Sequence, residues 1–428
     1  MANTSAARFL FIAHALRGDG GFRPTIWAEN GYSATGQQTY LIRYPRESNL
    51  KFARRNELAF YASPLAQACA RFSGYLAMRS VQRDAQHDLY KAIIDDVDGR
   101  GNSADVFFSM FIQEAKARGS MLLLVDMPQT VGGNQGAQIA GRIAPFWTSI
   151  EPEAVTEYTL GDDGKFDLVE FSGNFTRDDG SRVPCLWRFD RASWTALNPQ
   201  SKQQIASGTH PLGECPVIIF TEGGSFPHFG PFAAVADLSK RLFNLDSELD
   251  EILRAQTFSL LTMSVPDGST DAQKLEAARV AGETIGTNNL MVHSGSTPAF
   301  IAPPDGPARI YIDRIEQMRA QINEIGLNVA TVNQQESGIA MQMRFQSINA
   351  ELSRFSARME DFERRAWELC KRWLGMTQAP DIQWPRDFNL ADIGQELKVL
   401  TDMQSTAMPV QVLVEQQKRI VAVQFGGL

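Results

Sequence analysis

The residues able to do acid–base, nucleophilic or metal chemistry are 5 histidines, 4 cysteines and 49 carboxylates, and their spacing decides whether they do it. His14, His87, His210, His228 and His293 stand singly, without a partner at helical metal-ligand spacing and without an H-E-x-x-H motif. His228, close to Phe226 and Phe229, reads as a packed loop histidine rather than a base. Cys69, Cys185, Cys215 and Cys370 lie far apart with no C-x-x-C pair, so the expectation is reduced thiols in a cytoplasmic product, not a zinc site or a disulfide framework. No G-x-S-x-G elbow and no G-x-x-x-x-G-K-[ST] phosphate loop is present. The glycine-rich "GGNQGAQIAG" (132–141) lacks the lysine such a loop needs and reads as a surface loop. Acidic stretches such as "DSELDEI" suit a solvated helix face better than a cation site, because octahedral and calcium sites need oxygens converging from a tight loop. The chain is therefore not expected to be an enzyme and calls for no cofactor and no metal. A lesser alternative is an unusual active site in the 141–222 region.

One further set of charges is conspicuous. Arg344, Arg354, Arg358, Arg364, Arg365, Lys371 and Arg372 share a helical stretch with Glu351, Glu360, Asp361, Glu363 and Glu368. The cations could touch phosphates, or the two signs could pair within the helix and between subunits. A formal net charge of -8 argues against a surface that coats nucleic acid, but not against one that lets DNA slide past. No apolar run approaches the roughly 20 residues of a membrane span. "FLFIAHAL" has the length of a signal-peptide core, but only Arg8 precedes it and a histidine interrupts it, so a cleaved leader is not expected.

The elements that must carry these residues follow from periodicity. "ELAFYASPLAQACARFSGYLAMRS" keeps a 3–4 spacing through Leu58, Tyr61, Leu65, Ala68, Phe72 and Leu76, with Pro64 near its start. "SADVFFSMFIQEAKARG" predicts a capped helix ending near Gly119, followed by a buried strand from Met121 to Val125. Residues 141–222 read as one antiparallel sheet, with turns at 161–164 and 178–181, with Trp147, Trp187 and Trp194 supplying bulk to one face and "VIIFTEGG" closing it. A stripe through Leu238, Leu242, Leu245, Leu249, Ile252, Gln256 and Leu260 predicts a long helix, with Asp246, Glu248, Asp250 and Glu251 outside the stripe. A compact segment with strands in "NLMVHS" and "PAFIA" comes next. A helix then starts at Pro307, with Asp305 as cap, carries Ala308, Tyr311, Ile315, Met318, Ile322 and Ile325, and stops at Gly326. The longest stripe runs Phe345, Ile348, Leu352, Phe355, Met359, Phe362, Ala366, Leu369, Trp373. About 35 residues would span roughly 50 Å, so this stripe is expected to meet other long helices, of the same chain or of other subunits. The tail reads as an extended "DIQWP" and two helices.

That order of parts resembles the portal proteins of tailed bacteriophages. The phrases that carry the likeness are "YLIRYPRESNLKFARRNELAFYASPLAQACARFSGYLA", "RGSMLLLVDMP", "IAPFWTSIEPEAV", and "FIAPPDGPA" followed by "IDRIEQMRAQINEIGLNVA", in sequence order over residues 38 to 425. "SGIAMQMRFQSINAELSRF" is similar in type, although Met341, Met343 and Phe345 depart from the small polar start usual in that group. The resemblance implies an α+β, mainly α fold: an α/β wing (1–230), stem helix 1 (231–262), a small inserted clip (263–306), stem helix 2 (307–327), a tunnel loop (328–340), a long tunnel helix (341–374), and a return with a small helical crown (375–428). It implies a homo-oligomeric ring, usually a dodecamer, at one capsid vertex of the virion, through which double-stranded DNA is packaged and ejected. Its partners would be the terminase large subunit, a head-tail adaptor and the major capsid or scaffolding protein, with no membrane. Thr331, Asn333, Gln334, Gln335, Glu336, Ser337 and Gly338 would form the DNA-facing loop, and Asp246, Glu248, Asp250 and Glu251 the channel face of the stem. The alternative is a helical or coiled-coil scaffold that binds protein partners without DNA.

Overall fold

The computed structural model describes the chain apart from residues 1, 24–38, 129–143, 178, 258–259, 266–267, 277–278, 280–289, 295–298, 302–305, 327–337, 389–399, 401, 404–405, 407–408 and 426–428. The fold is α+β with helix dominant, about 51% helix against 20% strand. Two compact units share the chain: Met1–Ala13, Ala66–Ala233 and Gly326–Leu428 form the first, and His14–Leu65 with Ala234–Ile325 the second.

The first helix, α1 (Ala2–Arg17), buries Phe9 and Ile12 in the first unit and Ala15 and Leu16 in the second. The predicted helix around Pro64 is in fact two. The first, α2 (Asn49–Leu58), is capped by Ser48, whose side chain accepts from the Lys51 amide. The second, α3 (Pro64–Ala77), begins on the proline, which has no N–H to lose there. Tyr61 lies in the connection between them yet is buried, so the apolar spacing runs across a break in the backbone.

After β1 (Gln82–Asp84) and α4 (Asp88–Asp95), α5 (Ala104–Arg118) starts on a Ser103 cap and stops at Gly119, which is left-handed at φ 81°. The φ alone favours glycine. In addition, a Cβ on Gly119 would lie 1.9 Å from the Gly230 amide nitrogen, so the chain crosses itself there backbone to backbone.

Residues 141–222 hold two sheets rather than one. The strands β2 (Ser120–Asp126), β3 (Phe146–Ile150) and β9 (Val217–Thr221) form an antiparallel sheet in the order β3-β2-β9. A five-stranded antiparallel meander follows the chain order: β4 (Val155–Leu160), β5 (Phe166–Thr176), β6 (Arg182–Asp190), β7 (Ser193–Leu197) and β8 (Gln204–Thr209). The strand expected to close the meander, β9, joins β2 instead. Its near-continuous apolar run suits a sheet covered on both faces, whereas the meander strands alternate. One face of the three-stranded sheet (Leu122, Leu124, Ile150, Val217) packs on Phe166, Val169, Phe171 and Phe189 of the meander. The other packs on α5 and on α8 (Gly338–Leu374), with Trp147 between Phe108 and Trp367 and with Phe220 against Phe111 and Phe362. Trp147 thus serves a different core from Trp187 and Trp194, whose rings are 5.6 Å apart on the meander.

The 37-residue α8 corrects a second expectation. Leu352, Phe355, Met359, Phe362, Ala366 and Leu369 are buried within one chain. The sheet and α5 cover this stripe, where other long helices were expected. The chain ends with β13 (Asp381–Gln383), which pairs with β1, and α9 (Val410–Phe425).

In the second unit, α6 (Ala233–Thr257) and α7 (Gly306–Ile325) flank a small sheet of β10 (Leu260–Val265), β11 (Leu290–Ser294) and β12 (Ala299–Ile301), in the order β11-β10-β12. The expected first stem helix is thus shorter, because Leu260 opens a strand rather than ending a heptad stripe. The α7 stripe matches the prediction: Ala308, Ile315, Met318 and Ile322 are buried and Tyr311 and Ile325 half-buried. Two polar pairs tie α7 to α6. Arg319 lies 3.7 Å from Asp246, and the Tyr311 hydroxyl hydrogen-bonds Glu248. At 3.6 residues per turn, Asp246 and Glu248 lie on opposite flanks of the Leu245–Leu249 line, so α7 lies along that stripe. The helices run antiparallel, and along the α6 stripe Leu242 is buried and Leu238, Leu245, Leu249 and Ile252 half-buried.

Candidate functional site

The four acidic residues assigned to a channel face differ in their surroundings. Asp250 is exposed; Asp246, Glu248 and Glu251 are half-buried. Burial raises the Asp246 carboxyl above the ordinary 3.8, with Arg319 opposing and Asp250 adding to the shift. Glu251 has Arg254 at 3.2 Å and Lys51 at 3.7 Å. Three of the four therefore already hold contacts within the unit, leaving Asp250 as the open charge. Of the expected loop, Thr331, Asn333, Gln334, Gln335, Glu336 and Ser337 lie outside the described residues, as does the predicted cap Asp305. Gly338 is the first residue of α8, inside the stretch expected to be loop.

In the second unit the Arg55 guanidinium is buried with Glu47. Its Nε donates to Glu47 Oε1 at 2.9 Å, and its Nη2 donates to Glu47 Oε2 at 2.8 Å and to the Ile42 carbonyl at 2.6 Å. The Tyr44 ring lies 4.2 Å from the guanidinium carbon. Asn244 of α6 accepts from the Ile42 amide at 2.7 Å and donates to the Tyr40 carbonyl at 3.2 Å, so the 40–55 segment is bolted to that helix.

The polar residues of α8 are used in two ways. Glu363 is fully buried and accepts from Arg83, from the Trp367 indole at 3.1 Å and from the Trp384 indole at 2.7 Å. Glu351, with Glu222, holds the fully buried Lys116, whose ammonium also lies 4.3 Å from the Phe72 ring. These contacts are structural. Three of the outward cations pair with carboxylates, Arg364 with Glu360 at 2.8 Å, Arg372 with Glu214 at 2.6 Å and Lys371 with Glu368. For Arg364 and Lys371 the intrahelical ion-pair reading applies, whereas Arg372 pairs with a carboxylate outside the helix.

A cavity of about 290 Å³ lies between α8, strand β9 and the 163–165 turn, lined by Lys165, Ile219, Arg365 and Arg372 among others. A smaller one of about 130 Å³ adjoins it, lined by Thr221, Arg358 and Arg365. Sequence reasoning noticed these arginines but not the cavity, because its second wall is a strand whose pairing the sequence misplaced. Among the described residues no cluster of three or more His, Cys, Asp and Glu is placed to hold a metal ion, and no helix is long and apolar enough to cross a membrane. All four cysteines are buried and unpaired, and burial pushes the Cys215 and Cys370 thiols up to about 12.

No protein-family model matches the sequence, and no curated protein matches it. Similar solved structures come from gene transfer agent particles. A chain of the native particle's virion is 11% identical with a TM-score of 0.44, covering 80% of this chain and 86% of that one. A chain from the neck of an empty particle is 12% identical at TM-score 0.44, covering 81% and 90%. A chain from the neck of a native particle is 12% identical at TM-score 0.44, covering 80% and 85%. A likeness at this level carries no function to the present chain.

Proposed function

We propose that this protein is a portal-like subunit that assembles into a ring around a DNA channel at a capsid vertex. The observation that carries the reading is the antiparallel helix pair α6–α7, with a three-stranded module between the two helices in the chain, inserted between the halves of an α+β body. The ordered resemblance to portal proteins over residues 38 to 425 supports it, as do apolar side chains left outside the paired stripes. Ile310 is 70% exposed and Ile312 42% on α7, and Leu253 is 43% exposed on α6, a surface that neighbouring copies would cover.

In this reading the stem passes DNA without gripping it. Asp250, with the acidic residues around it, repels phosphate, and the uncharged amides Asn333, Gln334 and Gln335 touch the duplex weakly and without regard to sequence. The module of β10–β12 is the surface for the terminase and later the adaptor. No nucleotide motif is present, so the energy for translocation comes from the motor's ATP, and the subunit performs no catalysis.

Particle size tests the reading. Twelve copies of the 47.5 kDa chain are about 570 kDa. Light scattering should give a particle of that order, with rings in negative-stain images. A monomer or dimer at every salt concentration, with no rings, would overturn the proposal in favour of a helical scaffold.

A further inference from the structure

Among the described residues strand β9 is an edge strand: β2 pairs with one side, and the other side borders the cavity beside α8. In an antiparallel ladder alternate residues turn both backbone groups toward the partner. The Val125 amide donates to the Pro216 carbonyl and the Glu222 amide donates to the Gly119 carbonyl, which sets the phase. Ile218 and Phe220 therefore bond to β2, while Val217, Ile219 and Thr221 turn their backbone groups outward. The Thr221 carbonyl accordingly accepts from Arg358 Nη1 at 3.2 Å. The Ile219 N–H and C=O face the cavity, presenting the donor and acceptor to which a further strand would bond.

The opposite wall is a stripe of α8 through Arg358, Asp361, Arg365, Glu368 and Arg372. Glu368 is engaged by Lys371, and Glu214 by Arg372 and Lys165. Arg358 and Arg365 have no carboxylate within ion-pair distance among the described residues, and they stand two helical turns apart, about 10 Å. With Asp361 between them, this part of the groove keeps one positive charge in excess.

We propose that the groove binds an extended acidic segment of a partner protein, which adds as a fourth strand to β9 and sets its carboxylates on Arg358 and Arg365. A nucleic acid fits less well. Backbone donors and acceptors repeating along a strand edge match a peptide, whereas a phosphate backbone offers acceptors only. The inference is independent of the ring.

The test uses the full chain and fluorescence anisotropy with labelled octapeptides of alternating Glu and Val. Binding is expected for the Glu/Val peptide, about tenfold weaker binding for its Lys/Val counterpart, and a similar loss on Arg365→Glu or Arg358→Glu. Arg365 is exposed and Arg358 half-buried, and circular dichroism would check that the variants remain folded. A Glu/Val peptide N-methylated at alternate residues, which keeps the charges but blocks the strand bonds, should lose binding as well. No binding of the Glu/Val peptide at millimolar concentration would overturn the proposal. Equal binding of the N-methylated peptide would overturn strand addition, and stronger binding of a duplex oligonucleotide that Arg365→Glu abolishes would reassign the groove to nucleic acid.

Discussion

At the scale of single residues, the charges that matter most are those removed from water. Glu47 and Arg55 look like surface residues in "RYPRESNLKFARRN", yet both side chains are buried and bonded through two separate N–H donors. Burial alone would raise the Glu47 carboxyl, but the Arg55 hydrogen bonds, the Tyr44 amide and the Arg55 and Lys51 charges outweigh it and hold the group below its ordinary 4.5. A carboxylate depressed in the fold contributes stability above its unfolded value and loses it as pH falls through the lower, folded value. Urea midpoints should therefore decline as pH drops below about 4.5. Glu47→Gln should flatten that decline and cost about 3 kcal/mol at pH 7, by leaving Arg55 buried without its counter-charge. An unchanged pH profile in the variant would remove Glu47 from the account.

At the scale of elements, the crossing of Gly119 and Gly230 is the tightest constraint. Gly119→Ala would strain a left-handed backbone and drive a Cβ into a main-chain nitrogen that has no flexible atom to move aside. A loss of about 3 kcal/mol or more in chemical denaturation is expected, and a loss under about 1 kcal/mol would mean the two segments part easily. What the sequence disclosed at this scale was periodicity. The stripes of α7 and α8 were correct almost residue by residue, because a helix buries every third or fourth side chain whatever covers it. What it withheld were partners. Nothing local to "VIIFT" says that it pairs with Ser120–Asp126 rather than with the meander, and the spacing that ran on to Leu260 could not show a helix giving way to a strand. The groove beside Arg365 was hidden for the same reason, since it exists only once β9 has its neighbour.

At the scale of the molecule, the chain leaves the first unit near residue 13 and again near residue 233, so both units are discontinuous. Each has its own buried arginine–carboxylate centre, Arg55–Glu47 in one and Arg83–Glu363 in the other. Scanning calorimetry should resolve two transitions. Glu363→Ala should lower one of them and Arg55→Ala the other, each by several degrees, on the scale of a buried pair broken on one side. A single transition that both variants lower equally would mean the units unfold as one.

The long helix α8 has one more property. A stripe repeating every three or four residues fits its bed nearly as well after a slip of one turn, so apolar packing alone would leave a 37-residue rod free to index along its axis. Glu351 on Lys116 and Glu363 between Arg83 and two indoles each fit only one position, and a slip would strand buried charges at both points. They act as keys on a shaft. One turn is about 5.4 Å, and the keys deny that play to the end of the rod at Gly338. The start of α8 is therefore held at a set height, and force applied along the helix passes into the body rather than sliding it.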